Sequence, residues 1–183
     1  EINIKTNLST HNAMPPKNMI LPAIIALDQE ELDKMLEKIT FADNIMLDLM
    51  DGKFVETISL NFQMRLPKGP RYQLHLMAVN PLDQIKKTPK EVDTIILHAE
   101  SLTDLTEAIQ IAKKEKLRIF IALNPETSIK ILVPYLDELD GVLIMTVKPG
   151  QYGARFLPEQ LKNVRELREI SKEINIEVDG GMN

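Results

Sequence analysis

Ile45-Met46-Leu47-Asp48-Leu49-Met50-Asp51-Gly52 is an apolar run that ends in acids and a glycine. Its length and its turn-forming boundary read as a buried strand. A second such run closes in Glu177-Val178-Asp179-Gly180-Gly181, and the apolar run Tyr72–Met77 between them carries His75. Polar groups that terminate buried parallel strands stand where an α/β barrel keeps its chemistry.

The rest of the chain repeats this alternation. Apolar, β-branched runs over Ile20–Ile25, Ile45–Met50, Tyr72–Met77, Thr94–His98, Arg118–Leu123, Val142–Val147 and Ile174–Asp179 predict seven strands. Amphipathic segments separate them. Asp28 and Glu31 cap a helix with Leu32, Met35, Leu36 and Ile39 at helical spacing. Ser101-x-x-Asp104 caps another, with Leu102, Leu105, Ile109 and Ala112 on one face. Shorter helices are expected over Pro81–Lys87 and Thr127–Leu136, and a longer one over Pro158–Lys172 burying Leu161, Val164, Leu167 and Ile170. The stretch 52–70 reads as irregular, broken by Gly69-Pro70. Repeated βα units leave an open doubly wound sheet or most of a (β/α)8 barrel. The barrel is favoured because Asp48, His75, His98, Asn124, Lys148 and Asp179 end different strands, whereas a doubly wound sheet gathers such residues at one switch point. No dinucleotide fingerprint follows the first strand, and no P-loop pattern occurs.

The net charge of -5 over 183 residues argues against a nucleic-acid partner. The absence of cysteine removes disulfides and thiolate chemistry and fits a reducing cytoplasm. No apolar stretch approaches the roughly 20 residues of a membrane span. Residues 1–18 are polar, without the apolar core of a secretory signal, and read as an extension. The chain opens at Glu1 and closes at Asn183 directly after a strand-end motif, so a fragment of a longer barrel is expected.

Asp48 and Asp179, on well-separated strands, suit a reaction that removes a proton from one face of a carbon and returns it to the other. The ene-diolate between those steps needs positive charge, and a divalent metal held by His75 and the acids would supply it. Asp51 is expected to cap a following helix instead. His98 is expected to be a hydrogen-bonded core residue. Lys148-Pro149-Gly150-Gln151-Tyr152-Gly153 and Asp179-Gly180-Gly181 form two adjacent late glycine turns, the place where barrels hold phosphate. Met50, Met77 and Met145 lie at strand ends, either as core filling or as a water-excluding lining.

The order and spacing of Leu47–Val55, Leu74-His75-Leu76-Met77, Leu97-His98-Ala99-Glu100, Ala122-Leu123-Asn124-Pro125, Met145–Gly150 and Glu177–Gly181 resemble the ribulose-phosphate 3-epimerase family. The resemblance implies a TIM barrel over residues 19–183, lacking the eighth strand in this chain. It implies a cytoplasmic isomerase of the pentose phosphate pathway, interconverting ribulose 5-phosphate and xylulose 5-phosphate. Asp48 and Asp179 would be the acid/base pair. Asp48, His75 and Asp179 would hold one divalent ion, Zn, Fe, Mn or Co. His75, Met50, Met77, Met145, Gly150, Gln151, Tyr152, Gly153, Gly180 and Gly181 would contact substrate, and a homo-oligomer is expected.

The chain departs from that pattern. A histidine ligand belongs two residues before the first catalytic aspartate, where this chain has Met46, and a thioether suits these metals poorly. Ala23 replaces a substrate-contacting serine, and Lys148, Gln151 and Tyr152 differ within the phosphate loop. Two other readings stay open: a 3-epimerase for a hexulose phosphate such as allulose 6-phosphate, and a non-catalytic sugar-phosphate-binding paralogue.

Overall fold

A computed structural model describes residues 19–150 and 153–181. The chain divides into two compact units, Leu21–Ile119 and Phe120–Asn183. The fold class is α/β. Parallel strands followed by helical segments give the βα repeat of a (β/α)8 barrel, with seven parallel strands among the described residues.

In the first unit β1 (Ala23–Ile24), β2 (Asn44–Asp51), β4 (Arg71–Met77) and β5 (Val92–His98) pair in that order, all parallel. Pro22 offers no N–H, yet its carbonyl accepts from Met46 N–H at 2.9 Å and extends the β1 edge by one bond. Helix α1 (Gln29–Lys38) starts at Asp28, whose side chain accepts from Glu31 N–H. The Glu31 carboxylate reaches back to Leu27 N–H at 2.9 Å, so both chain directions at the helix start are satisfied. Leu32 and Leu36 form its buried stripe, while Met35 is largely exposed. The stretch expected to be irregular contains β3 (Ile58–Ser59), a short antiparallel addition to β2. Two residues are too few for a periodicity signal. What holds β3 is long-range: Ala26 N–H donates to Ser59 Oγ at 3.1 Å, and Leu60 N–H to Ala26 O at 2.7 Å.

Between β4 and β5 lies the short helix α2 (Pro81–Ile85), with proline at its first turn, where no N–H is needed. Helix α3 (Leu105–Lys114) starts later than the capping pattern suggests. Residues Ala99–Ser101 form a 3₁₀ turn, and Leu102 is extended. Asp104 alone then caps α3, accepting from Thr106 and Glu107 N–H. Ala108, Ile109 and Ala112 are its buried positions.

Strands β6 (Arg118–Leu123), of which Phe120–Leu123 fall in the second unit, β7 (Gly141–Met145) and β8 (Asn175–Asp179) are parallel. Gly141 is paired with Phe120, and a Cβ there would lie 2.3 Å from the ring, so the glycine is what lets the buried ring cross the sheet face. The helix expected over Thr127–Leu136 is a 3₁₀ segment, Ile129–Tyr135. Ser128 caps it, and Pro134 inside it removes the N–H that an α-helical continuation requires. The final helix, α4 (Leu161–Ile170), buries Leu167 most deeply and leaves Ile170 exposed. The Arg168 guanidinium donates to the carbonyls of Ser171 and Lys172, covering the C-terminal end. No helix among the described residues is long and apolar enough to cross a membrane.

Candidate active site

Strand register builds the side-chain cluster of the first unit. Met46 pairs with Gln73, Asp48 with His75, and Met50 with Met77. Alternate residues of a strand share a face, so these pairs form three successive layers on one face of β2 and β4. All six side chains are buried. His75 Nδ1 lies 3.2 Å from Asp48 Oδ1, and His75 Nε2 lies 2.9 Å from His98 Nε2. Both histidines are 0% exposed. Burial raises the Asp48 carboxyl to about 7 against a lowering pull from His98. A carboxyl poised there can either take or give a proton near neutral pH.

His98 is therefore buried and hydrogen-bonded, as its sequence position suggested, but its partner is the candidate ligand itself. Asp51 does not cap a helix. Its Oδ1 accepts from Lys53 and Phe54 N–H at 2.8 Å each, and its Oδ2 from Val79 N–H at 2.9 Å. A helix N-cap needs free N–H groups in a first helical turn. Here the free N–H groups belong to the β2 and β4 loops, so Asp51 ties those loops together. Burial would raise its pKa, but the N–H groups of Phe54, Val79 and Lys53 and the Lys53 charge hold it low. Asp51 is thus an ionised brace at the end of β2, three residues after Asp48.

The second unit contributes a different kind of site. Asp179 ends β8, half-buried, paired in register with Met145 at the end of β7. Thr146, given no role of its own within the Met145–Gly150 stretch, fixes the Asp179 backbone. Its N–H donates to Asp179 O at 2.7 Å, and its hydroxyl is shared between the carbonyls of Asp179 and Gly180, 2.7 Å from each. Leu157 N–H returns to Thr146 O at 2.7 Å. Gly180 has φ +105° and a Cβ on it would lie 2.2 Å from Val147. Gly181 has φ +69° and its Cβ would lie 2.8 Å from Phe156 Cβ. The Gly180-Gly181 turn therefore packs directly on Val147 and Phe156, which flank the other glycine turn in sequence. Gly150 and Gly153 also have positive φ, at 78° and 70°. Positive φ is where glycine is tolerated and other residues are strained. Gln151 and Tyr152, expected to bind substrate, lie outside the described residues.

Parallel βα units with acids and a histidine at the carboxyl ends of the strands define a barrel-type α/β protein equipped for acid/base chemistry. The profile of the ribulose-phosphate 3 epimerase family matches residues 19–183. The chain is 32% identical to ribulose-phosphate 3-epimerase of Bacillus subtilis (strain 168) over 176 residues, covering 90% of this chain and 81% of that one. It is 30% identical to the enzyme of the same name from Schizosaccharomyces pombe, covering 89% and 76%. The cytoplasmic isoform of Oryza sativa subsp. japonica is 32% identical over the same shares. The chain belongs to the ribulose-phosphate 3-epimerase family.

Proposed function

We propose that this chain is a ribulose-phosphate 3-epimerase, interconverting ribulose 5-phosphate and xylulose 5-phosphate, and that residues 19–183 are its catalytic domain. The observation that carries the reading is the buried Asp48–His75 pair at the strand ends of a chain in this family. Asp48 and Asp179 are the acid/base pair: one removes the proton at C3, and the other returns it from the opposite face. Substrates of this kind place the activity in the pentose phosphate pathway.

The donor set suits a divalent cation. Two donor atoms about 2.1 Å from one ion lie roughly 3 Å apart, and His75 Nδ1 and Asp48 Oδ1 are 3.2 Å apart. An imidazole nitrogen and carboxylate oxygens fit Zn, Fe, Mn or Co. Asp48, His75 and Asp179 would hold the ion, which would supply positive charge where the substrate oxygens become anionic. Met50, Met77 and Met145, buried beside the acids, exclude water from the reacting carbon. The turns at Gly150–Gly153 and Gly180-Gly181 offer backbone N–H groups to the phosphate.

One observation favours a second reading, a non-catalytic sugar-phosphate-binding protein. Met46 is 2% exposed and shares the Asp48 face of β2, where the family pattern has its other histidine. Metal content and a coupled epimerase assay decide between them. Bound metal with turnover supports the enzyme. Ligand binding with neither metal nor turnover supports the binding protein.

A further inference from the structure

We propose that Thr146 is a positioning residue for the substrate phosphate: its hydroxyl turns the Gly180–Gly181 peptide so that the N–H groups of Gly180 and Gly181 face the same side. The observations all lie within the second unit. Asp179 is the last residue of β8, and its carbonyl faces β7, accepting from Thr146 N–H at 2.7 Å. Along a strand, successive carbonyls point to opposite sides. A continuing strand would therefore send the Gly180 carbonyl away from β7. Instead the Thr146 hydroxyl lies 2.7 Å from the Asp179 carbonyl oxygen and 2.7 Å from that of Gly180. Two successive carbonyls within reach of one hydroxyl point to the same side. The alternation breaks at Gly180, whose φ of +105° lies outside the strand conformation and is open to glycine.

A trans peptide is planar, and its N–H points opposite to its C=O. The Gly180 N–H shares a peptide with the Asp179 carbonyl, and the Gly181 N–H shares one with the Gly180 carbonyl. With both carbonyls turned to Thr146, both N–H groups turn away from it, side by side. Successive N–H groups on one side make an anion-binding concavity. In an unbroken strand the Gly181 N–H would point back toward β7 instead. The Thr146 backbone is already committed, its N–H to Asp179 and its carbonyl to Leu157 N–H at 2.7 Å, so the hydroxyl is the group of this residue that reaches Gly180. Its β-branched side chain is stiff and 0% exposed. Gly181 is exposed and Gly180 half-buried, which leaves the turn open to a solute.

The identity of the anion as substrate phosphate rests on the epimerase reading above; the orientation of the two N–H groups does not. The test keeps the two apart. In the ¹⁵N-labelled chain, titration with inorganic phosphate should move the Gly180 and Gly181 amide signals in the wild type and in Thr146→Ser. Thr146→Val keeps the shape and removes the hydroxyl. It should weaken phosphate binding by about 10–100-fold, the worth of a hydrogen bond to a charged group. In a coupled assay it should raise KM for ribulose 5-phosphate by the same factor, with a smaller effect on kcat, because Thr146 N–H still holds Asp179. A general packing defect gives neither that split nor recovery with serine. Glycine signals unmoved by phosphate in the wild type overturn the proposal. So does equal phosphate affinity in Thr146→Val and wild type, or a Thr146→Ser that behaves like Thr146→Val. If Thr146→Val does not fold, Thr146→Ala carries the same comparison. A wild type whose glycine signals move with phosphate but which turns over no ribulose 5-phosphate removes the epimerase reading and leaves the Thr146-oriented phosphate site standing.

Discussion

In the unit Leu21–Ile119 the candidate chemistry is made by side chains that strand register sets beside one another, Asp48 against His75 and Met50 against Met77. In the unit Phe120–Asn183 it is made largely by side chains that are missing. Gly180 and Gly181 let one late loop pack on another, and Thr146 holds Asp179 through its backbone. The first arrangement gives a buried, protonatable cluster with little room to move. The second gives a turn held by backbone contacts and one half-buried acid. The proposed epimerase reaction would draw on both, so the two regions should fail in different ways when altered.

The largest expected effect tests whether the two regions contribute equal partners. Asp48→Asn and Asp179→Asn should each lower epimerase kcat by about 10²–10⁴-fold, the usual worth of a positioned acid or base. A coupled assay from ribulose 5-phosphate reads this directly. Near-normal turnover in either variant would break the two-carboxylate mechanism and leave that acid as a structural residue.

Next comes the energetic cost of the buried cluster. Asp48 has a folded pKa of about 7 against an ordinary value of 3.8, because burial disfavours its charge. Its neutral form is the one that the fold prefers. The contribution to stability is therefore complete below about pH 4 and is lost as pH rises to about 7. Asp48→Asn cannot lose that contribution. In metal-free protein the variant should gain on the wild type as pH increases from 4 to 7, by on the order of 4 kcal/mol at most. The difference should level off above pH 7. Parallel urea-denaturation profiles across this range would show that the Asp48 carboxyl is not buried in the way described.

The glycine region should respond to volume rather than to charge. Gly180→Ala meets Val147 at 2.2 Å and a φ of +105°, whereas Gly153→Ala meets nothing within 4 Å at a φ of +70°. Overpacking typically costs about 1–3 kcal/mol, and an L residue at positive φ roughly 1–2 kcal/mol. Gly180→Ala should therefore cost about 2–4 kcal/mol and Gly153→Ala about 1–2 kcal/mol in denaturant midpoints. Equal costs would mean that the packing of Gly180 on Val147 is not what fixes the turn.

These regions were unequally legible in the sequence. The parallel βα repeat, Asp48, His75 and Asp179 stood out because each ends an apolar run, which is a local pattern. Met46 was legible only as a departure from the family pattern. The His75–His98 contact was not legible, because it depends on how β4 and β5 pair, and register is a property of two strands at once. Thr146 and Ser59 escaped notice for the same reason: an isolated hydroxyl carries no spacing signal, and its partners are 33 residues away. Asp51 illustrates a local rule applied to the wrong neighbour. An aspartate before a glycine does seek backbone N–H groups, but here the turn at Lys53-Phe54 and the distant Val79 supply them.

The smallest expected effect shows the same distinction between side-chain and backbone construction at a site without chemistry. Helix α3 ends with Lys116 at φ 59°, its N–H bonded to Lys113 O at 3.1 Å, while Leu117 N–H reaches Ala112 O at 2.9 Å. These paired bonds are the closing motif that glycine usually completes, because the left-handed residue pays a Cβ penalty. Lys116 is exposed and makes no other contribution to the helix end that glycine would forfeit, apart from its charge near the negative end of the helix dipole. Removing the Cβ strain gains about 1 kcal/mol, against a few tenths lost to the dipole and to the extra freedom of the unfolded chain. Lys116→Gly should raise stability by about 0.5 kcal/mol, seen as a rise of about 1–2 °C in Tm with epimerase activity unchanged. A lower Tm would mean that the lysine side chain, rather than the two backbone bonds, holds the end of α3.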